Sequence, residues 1–199
     1  MRLPTTIRWR LQVWYGLLIA LLARVLIVAT FHFEKERRFR NETVEFAVVD
    51  MAALLREELD QHRALALEQQ LELIADPQPA LCRGEHELLL QVATNLLSNA
   101  MDYNQPGGWV RASTVVREDF SVLIVSNSGP GIAAADRALV FERFYRGEKS
   151  RANGGHHSGL GLAIVEAIVK AHGGRVTVES ELNAETIFTV LLPRADRAT

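Results

Sequence analysis

Cysteine is almost absent from this 199-residue chain: Cys82 stands alone. No intrachain disulfide can form, and one thiol cannot build a zinc cluster. An excess of positive charge is missing too. The formal net charge is −2, which argues against a nucleic-acid binder, since such proteins carry a basic face. No internal repeat or low-complexity tract stands out. No Gly-Lys-Ser or Gly-Lys-Thr occurs, so there is no Walker-type phosphate loop. What the chain does have is apolar residues, 48% against 23% charged. That is enough for a packed core in one ordinary domain plus an appendage.

The apolar residues are unevenly spread. Residues 1–10 form a flank, and residues 11–31, LQVWYGLLIALLARVLIVATF, form one long run. A helix crossing a bilayer needs about 20 such residues. Trp14 and Tyr15 lie near one end, where amphipathic rings favour the interface. Arg24 interrupts the run, at a penalty of roughly 2.5–3.5 kcal/mol on insertion scales, which the surrounding leucines, isoleucines and valines offset. A secretory signal peptide is the rival reading, but no clean small-x-small cleavage site follows. Arg2, Arg8 and Arg10 before the span balance Lys35, Arg37, Arg38 and Arg40 after it, so the positive-inside rule barely discriminates an orientation.

Residues 32–43 read as a charged juxtamembrane linker, and 44–194 as one domain with a tail at 195–199. Within the domain, VEFAVV (44–49) alternates as a strand does, and Asp50 precedes a helix carrying Leu54, Leu55 and Leu59. LELIAD (71–76) predicts a short strand, broken by the prolines of DPQPA. A long helix is expected over 85–103, strands near 109–117 and 120–127, a turn at SGPGI and a short helix in AADRALVFERF. Residues 145–158 are polar and glycine-rich, a loop by composition. A helix from Gly159 stops at Gly173-Gly174, and RVTVES and TIFTVLL supply two last strands. Alternating helices and strands with two adjacent hairpins predict an α/β fold: a two-layer sandwich of one mixed β-sheet with helices on one face.

Three stretches carry possible chemistry. In LLLQVATNLLSNAMDYN, Gln91, Asn95 and Asn99 recur every fourth residue, with Asp102 three further on, so they share one helix face. Asparagine is a poor helix former, and such local faults often mark functional sites. Amide oxygens are hard neutral ligands suited to Mg²⁺; a solvent-facing stripe is the plain alternative. In VSNSGPGI an apolar strand runs into Asn127, Gly129, Pro130 and Gly131. Glycine lets the backbone approach a flat ligand closely and the amide could read an adenine edge, although a simple turn has the same sequence. In GGHHSGLGLAIV, Gly159 and Gly161 flank Leu160 where a helix starts. Free N–H groups at a helix N-terminus attract anions; the plain alternative is tight packing.

Taken together and in this order, these stretches resemble the ATP-binding domain of sensor histidine kinases, within the wider superfamily of gyrase-type, heat-shock chaperone and mismatch-repair ATPases. The resemblance spans about residues 44–194. NLLSNAMDY resembles the N box, SNSGPGI the first glycine box, LVFERFYRG the F box and SGLGLAIVEAIVKAHGG the second glycine box. It implies a Bergerat-type ATP-binding fold that binds ATP and Mg²⁺. Asn99 would hold Mg²⁺ with support from Asn95, and Tyr103 would pack near the adenine. Asn127 takes the place of the usual adenine-binding aspartate. Gly129, Gly131 and Ile132 would shape the purine pocket, Arg146 would reach the γ-phosphate, and Ser158, Gly159, Leu160 and Gly161 would cradle the phosphates.

Several positions depart from that pattern. Asn127 replaces an aspartate, losing about 1 kcal/mol of charge assistance. Asp102 stands where a basic residue is common, and His157 replaces a lid glycine. No HELRTP-like phosphoacceptor motif occurs, which argues against autophosphorylation. Of the six histidines, His32, His62, His86, His156, His157 and His172, His62 is the least implausible acceptor, and a surface helix histidine is the ordinary reading. The expected whole is a single-pass inner-membrane protein with a cytoplasmic ATP-binding domain. It would use Mg-ATP to phosphorylate a histidine on another chain, with a histidine-bearing kinase partner or response regulator as its associate. A single span leads us to expect an internally deleted kinase. Alternatives are an anti-sigma-factor-type serine kinase and an inactive nucleotide- or partner-binding module.

Overall fold

The computed structural model describes residues 46–146 and 158–195. The expected transmembrane helix 11–31, the charged linker 32–43, most of the glycine-rich loop with His156 and His157, and residues 196–199 lie outside the described residues. Among the described residues no helix is long and apolar enough to cross a membrane.

Strand β1 (Ala47–Asp50) leads directly into helix α1 (Met51–Glu68). Asp50 is the reason: its carboxylate accepts from the Ala52 N–H at 3.0 Å and so caps the helix. The same oxygen accepts from the Ala80 N–H at 3.2 Å. Strands β2 (Glu72–Pro77) and β3 (Leu81–Gly84) follow, then helix α2 (His86–Asp102), the hairpin β4 (Trp109–Arg117) and β5 (Phe120–Asn127), helix α3 (Gly161–Ala171), and the hairpin β6 (Arg175–Ser180) and β7 (Thr186–Pro193).

The main sheet has the order β2-β4-β5-β7-β6. Only β2 and β4 run parallel; the other pairs are antiparallel. The expected mixed sheet is therefore present, but it is not the only one. Strands β1 and β3 pair antiparallel in a separate two-stranded sheet, Val49 opposite Cys82. Strand β3 was not anticipated, because four residues after two prolines carry too little periodicity to read. It forms because its partner β1 and the Ala195 N–H, which donates to the Leu81 carbonyl at 2.8 Å, satisfy its backbone.

The core lies between the sheet and the helices. Val110 and Ala112 of β4, Leu123 and Val125 of β5, and Phe188, Val190 and Leu192 of β7 pack with Leu55 of α1, Leu96 and Leu97 of α2, and Val165 and Val169 of α3. Alternation along β7 is strict, every second residue being buried, as period 2 requires. Cys82 is fully buried beside β1. Burial, and to a lesser degree the charge of Asp50, push its thiol from about 9 up to about 12.

Helix ends are built by local chemistry. After α3, the Gly174 N–H donates to the Val169 carbonyl and the Gly173 N–H to Lys170, with Gly173 at φ +70°. This is the Schellman arrangement the glycine pair predicts. Helix α1 ends the same way, the Leu71 N–H reaching the Ala66 carbonyl at 2.8 Å, but its left-handed residue is Gln70 at φ +58°. The short helix expected in AADRALVFERF does not form. That segment is a chain of turns: Asp136 N–H to Ala133, Leu139 to Asp136, Glu142 to Leu139. Tertiary contacts override its propensity, since Phe141 packs edge-on against the core ring of Phe188 at 6.2 Å and Phe144 takes φ +63°.

Two outcomes follow. Gln70→Gly removes a left-handed side chain and should raise the unfolding free energy by about 1 kcal/mol in denaturant titration. Because the folded state keeps the Cys82 proton while the unfolded state releases it, stability should hold below pH about 9 and decline as pH rises toward 12. Comparing wild type with Cys82→Ser across that window isolates the slope.

Candidate functional site

The polar face of α2 exists because its other face is committed. Leu89, Val92, Ala93, Leu96, Leu97, Ala100 and Met101 are buried. That fixes the helix about its axis and leaves Asn95 and Asn99 half-buried at the margin of the core. Asn95 faces α3: its Oδ1 would lie 3.3 Å from a Cβ placed on Gly161. Its Nδ2 is sealed from solvent and has no hydrogen-bond partner among the described residues. Asn99 lies one turn on, its carbonyl accepting from the Tyr103 N–H at 3.1 Å. A buried donor without a partner is costly, so a polar guest between α2 and α3 is what this margin is suited to hold. Neutral amide oxygens and an amide N–H together fit a hydrated Mg²⁺ with its phosphates.

Opposite stands the N-terminus of α3. Its N-cap, Leu160, makes no side-chain cap, and the first turn has no acidic residue. The first N–H groups are thus left for an anion. Gly159 precedes it at φ +69°, and its missing Cβ would meet the Phe144 and Tyr145 backbone at 2.9 Å. The Phe144 N–H donates to the Gly159 carbonyl at 2.9 Å. The residues flanking 147–157 are therefore tied together at the α3 entrance. Arg146 is half-buried on one flank and Ser158 exposed on the other. The helix itself starts at Gly161, two residues later than expected.

The end of β5 meets the C-terminus of α2. Asn127 is 3% exposed, and its Nδ2 donates to the Tyr103 carbonyl at 3.4 Å. A Cβ on Gly129 would collide with that same carbonyl oxygen. Gly131, at φ +71°, instead meets the Glu181 carbonyl, and the Ile132 N–H donates to Ser180 Oγ at 2.9 Å. The two glycines of this turn therefore serve different neighbours, Gly129 the end of α2 and Gly131 the β6–β7 turn. Tyr103 is 37% exposed at the rim.

The sequence reading missed Asn104 and Ser128. Asn104 Nδ2 donates to the Trp109 carbonyl at 2.9 Å, its Oδ1 accepts from Ser128 Oγ at 3.2 Å, and Ser128 Oγ accepts from the Trp109 N–H at 2.8 Å. They brace the turn beside Asn127, a role with no signal in spacing because the partners come from three elements. His62 is a correction. It is buried on α1, not on the surface, with Nδ1 against the Glu58 carbonyl at 2.8 Å and Nε2 against Ser98 Oγ at 3.3 Å. With both ring nitrogens engaged inside the domain, it is no phosphoacceptor.

Residues 84–196 match the family described as histidine kinase-, DNA gyrase B- and HSP90-like ATPase. The chain belongs to this family. The probable sensor histidine kinase TcrY of Mycobacterium tuberculosis is 41% identical over 150 residues, covering 75% of this chain and 31% of TcrY. The chain thus spans about a third of the length of that relative. Among solved structures, the mycobacterial sensor histidine kinase MprB superposes with TM-score 0.68 at 31% identity, over 74% of this chain and 98% of that one. Full-length ShkA in complex with AMPPNP superposes with TM-score 0.67 at 29% identity, over 77% of this chain and 32% of ShkA. The α/β fold with a mixed sheet and helices that the resemblance implied is therefore the one observed.

Gly129→Ala should be severe, since the added methyl meets main chain rather than a movable side chain. We expect a loss of about 2–4 kcal/mol in unfolding free energy, and a spectroscopic melt that matches wild type would contradict the contact.

Proposed function

We propose that the chain binds Mg-ATP between the amide face of α2 and the N-terminus of α3, and transfers the γ-phosphoryl group to a histidine on another chain. The observation that carries this reading is the apposition of Asn95, with its unpartnered buried Nδ2, to Gly161 at the uncapped start of α3. The AMPPNP complex of the related ShkA supports it. So does the naming of relatives as sensor histidine kinases.

In this mechanism Asn99, supported by Asn95, would hold Mg²⁺, which would supply charge to offset that of the phosphates. Backbone N–H groups from Ser158 to Gly161 receive phosphate oxygens, and Arg146 reaches the γ-phosphate. Asn127, Gly129, Gly131, Ile132 and Tyr103 surround the base. A histidine nitrogen of the acceptor attacks the γ-phosphorus; the N–P bond forms, the bond to the β,γ-bridging oxygen breaks, and ADP leaves. Such a transfer needs mainly positioning and charge stabilisation, which these groups supply.

No HELRTP-like motif lies in this sequence, and His62 is engaged in the core. The acceptor is therefore taken to be a histidine-bearing kinase partner, with a response regulator downstream. Residues 11–31 anchor the protein in the inner membrane as a single span with the ATPase domain cytoplasmic.

The test is titration of the purified protein with ATP, with and without Mg²⁺, followed by γ-labelled ATP. Binding should be Mg²⁺-dependent and should fall at least tenfold in Asn99→Ala, while label on the chain itself stays at background. Acid-labile label on a supplied histidine-bearing chain supports the transfer, acid-stable label on a partner serine favours a serine kinase, and tight binding without turnover leaves a binding module.

A further inference from the structure

Helix α2 begins without a cap of its own. Its N-cap residue, Glu85, makes no side-chain cap hydrogen bond, and the third helical residue is Leu88, whose side chain has no acceptor. In a capping box a glutamate or glutamine at that place takes the N–H of the N-cap residue, one of the donors a helix start leaves unsatisfied. Here an imidazole from another helix takes it: the Glu85 N–H donates to His172 Nε2 at 3.1 Å. His172 is the C-cap residue of α3, and its Nδ1 lies 2.8 Å from the Ile168 carbonyl.

These partners fix the proton. A backbone N–H can only donate, so Nε2 keeps its lone pair. A carbonyl can only accept, so Nδ1 carries the hydrogen. His172 is 6% exposed, and Phe46 stacks on it with ring centroids 4.5 Å apart. Gly84 makes room for the ring, since a Cβ there would stand 2.8 Å from its Cδ2 and 3.1 Å from Nε2. A second proton, on Nε2, would set one N–H against another and break the bond to α2.

The charged side chains on the surrounding elements are Arg83 of β3, Glu85, His86 and Glu87 at the start of α2, Lys170 of α3 and Arg175 of β6, all of them exposed. Among the described residues no carboxylate pairs with the His172 ring. The two helix ends act on it with opposite sign: the C-terminus of α3 favours an imidazolium, and the N-terminus of α2 opposes it. The Glu85 N–H is left to decide, and it accommodates only the neutral ring. The consequence reaches the candidate site because α2 and α3 run antiparallel. Glu85 and His172 close one end of the pair, and Asn95 and Gly161 face each other at the other, about 15 Å away at the rise of a helix.

We infer that His172 is a positioning residue for the nucleotide: neutral, with its proton on Nδ1, it clamps the far ends of α2 and α3, and a second proton opens the clamp and weakens Mg-ATP binding. The inference rests on the nucleotide reading of the site and adds its regulation by pH.

The experiment titrates the purified full chain with Mg-ATP from about pH 8 to about pH 5.5, the range in which an imidazole changes charge. It compares wild type, His172→Gln and His172→Phe. Glutamine keeps an acceptor and a donor that do not titrate; phenylalanine keeps the stack and has neither. Protonation of ATP and of the other histidines affects the three chains alike, so the ratios between chains are read. At about pH 8 His172→Gln should bind within about threefold of wild type, and His172→Phe about fivefold more weakly, as loss of one hydrogen bond implies. At about pH 5.5 wild type should have fallen about fivefold relative to His172→Gln, to the level of His172→Phe. Wild type and His172→Gln that lose affinity in parallel overturn the clamp and leave the nucleotide reading intact. If a variant fails to fold, the ring-nitrogen NMR spectrum of wild type decides. His172 should carry its proton on Nδ1 alone at about pH 8, and saturating Mg-ATP should move its second protonation to lower pH, as linkage requires. A proton on Nε2 at about pH 8, or a titration that nucleotide leaves in place, overturns the inference. Wild type that binds no Mg-ATP at any pH overturns the nucleotide reading and the clamp with it.

Discussion

The candidate site depends on one constraint: helix α2 must bury its leucine, valine and alanine face against the sheet. Seven buried side chains from Leu89 to Met101 hold it there. Once the helix cannot rotate, Asn95 and Asn99 have nowhere to go but the opposite margin. The alternative rotation would bury two or three amides against apolar strands, each at a penalty of about 1–3 kcal/mol. The hydrophobic core thus orients the polar groups without touching them.

Close backbone approach is the second element of the design. Gly129 admits the Tyr103 carbonyl, Gly131 the Glu181 carbonyl, and Gly159 the Phe144–Tyr145 main chain. Each lets two segments distant in sequence meet without a side chain between them. The consequence is a wall made largely of main-chain groups, well suited to a flat base or a phosphate because backbone donors and acceptors are fixed in direction. Residues such as Asn104, Ser128, Ser180 and Thr186 then hold the wall in place through side-chain hydrogen bonds.

Some polar groups are buried away from the candidate site. Glu58 is 2% exposed, its Oε2 lies 3.6 Å from His62 Nδ1, and His62 joins Ser98 on α2. Ser98 lies between Asn95 and Asn99 along the helix, so α1 braces the same helix from behind. His172 does similar work at the far end. Its Nε2 accepts from the Glu85 N–H at 3.1 Å, its Nδ1 donates to the Ile168 carbonyl, and Phe46 stacks on its ring at 4.5 Å. The start of α2 and the end of α3 are joined through one imidazole, so the two helices that frame the site are linked at their other ends.

Much of this was legible in the chain. Among the described residues, periodicities of 3.6 and 2 marked the three helices and most strands, because burying one face leaves its imprint on residue type. The glycine pair after α3 announced its Schellman end, and the order of the four boxes announced the family. Other features left no such imprint. Strand β3 is too short to show a period, and FERF has helical composition but is held in turns by Phe188 and Gly159. His62 reads as a surface residue until Ser98 comes to meet it from 36 positions away. The sequence by itself determined which faces are apolar and where α3 stops, since these follow from local chemistry. Only the tertiary structure decided which carbonyl lies against Gly129, which end of the Asn127 amide is engaged and which amide is left without a partner. Those depend on contacts between distant segments, and no local pattern encodes the distance between them.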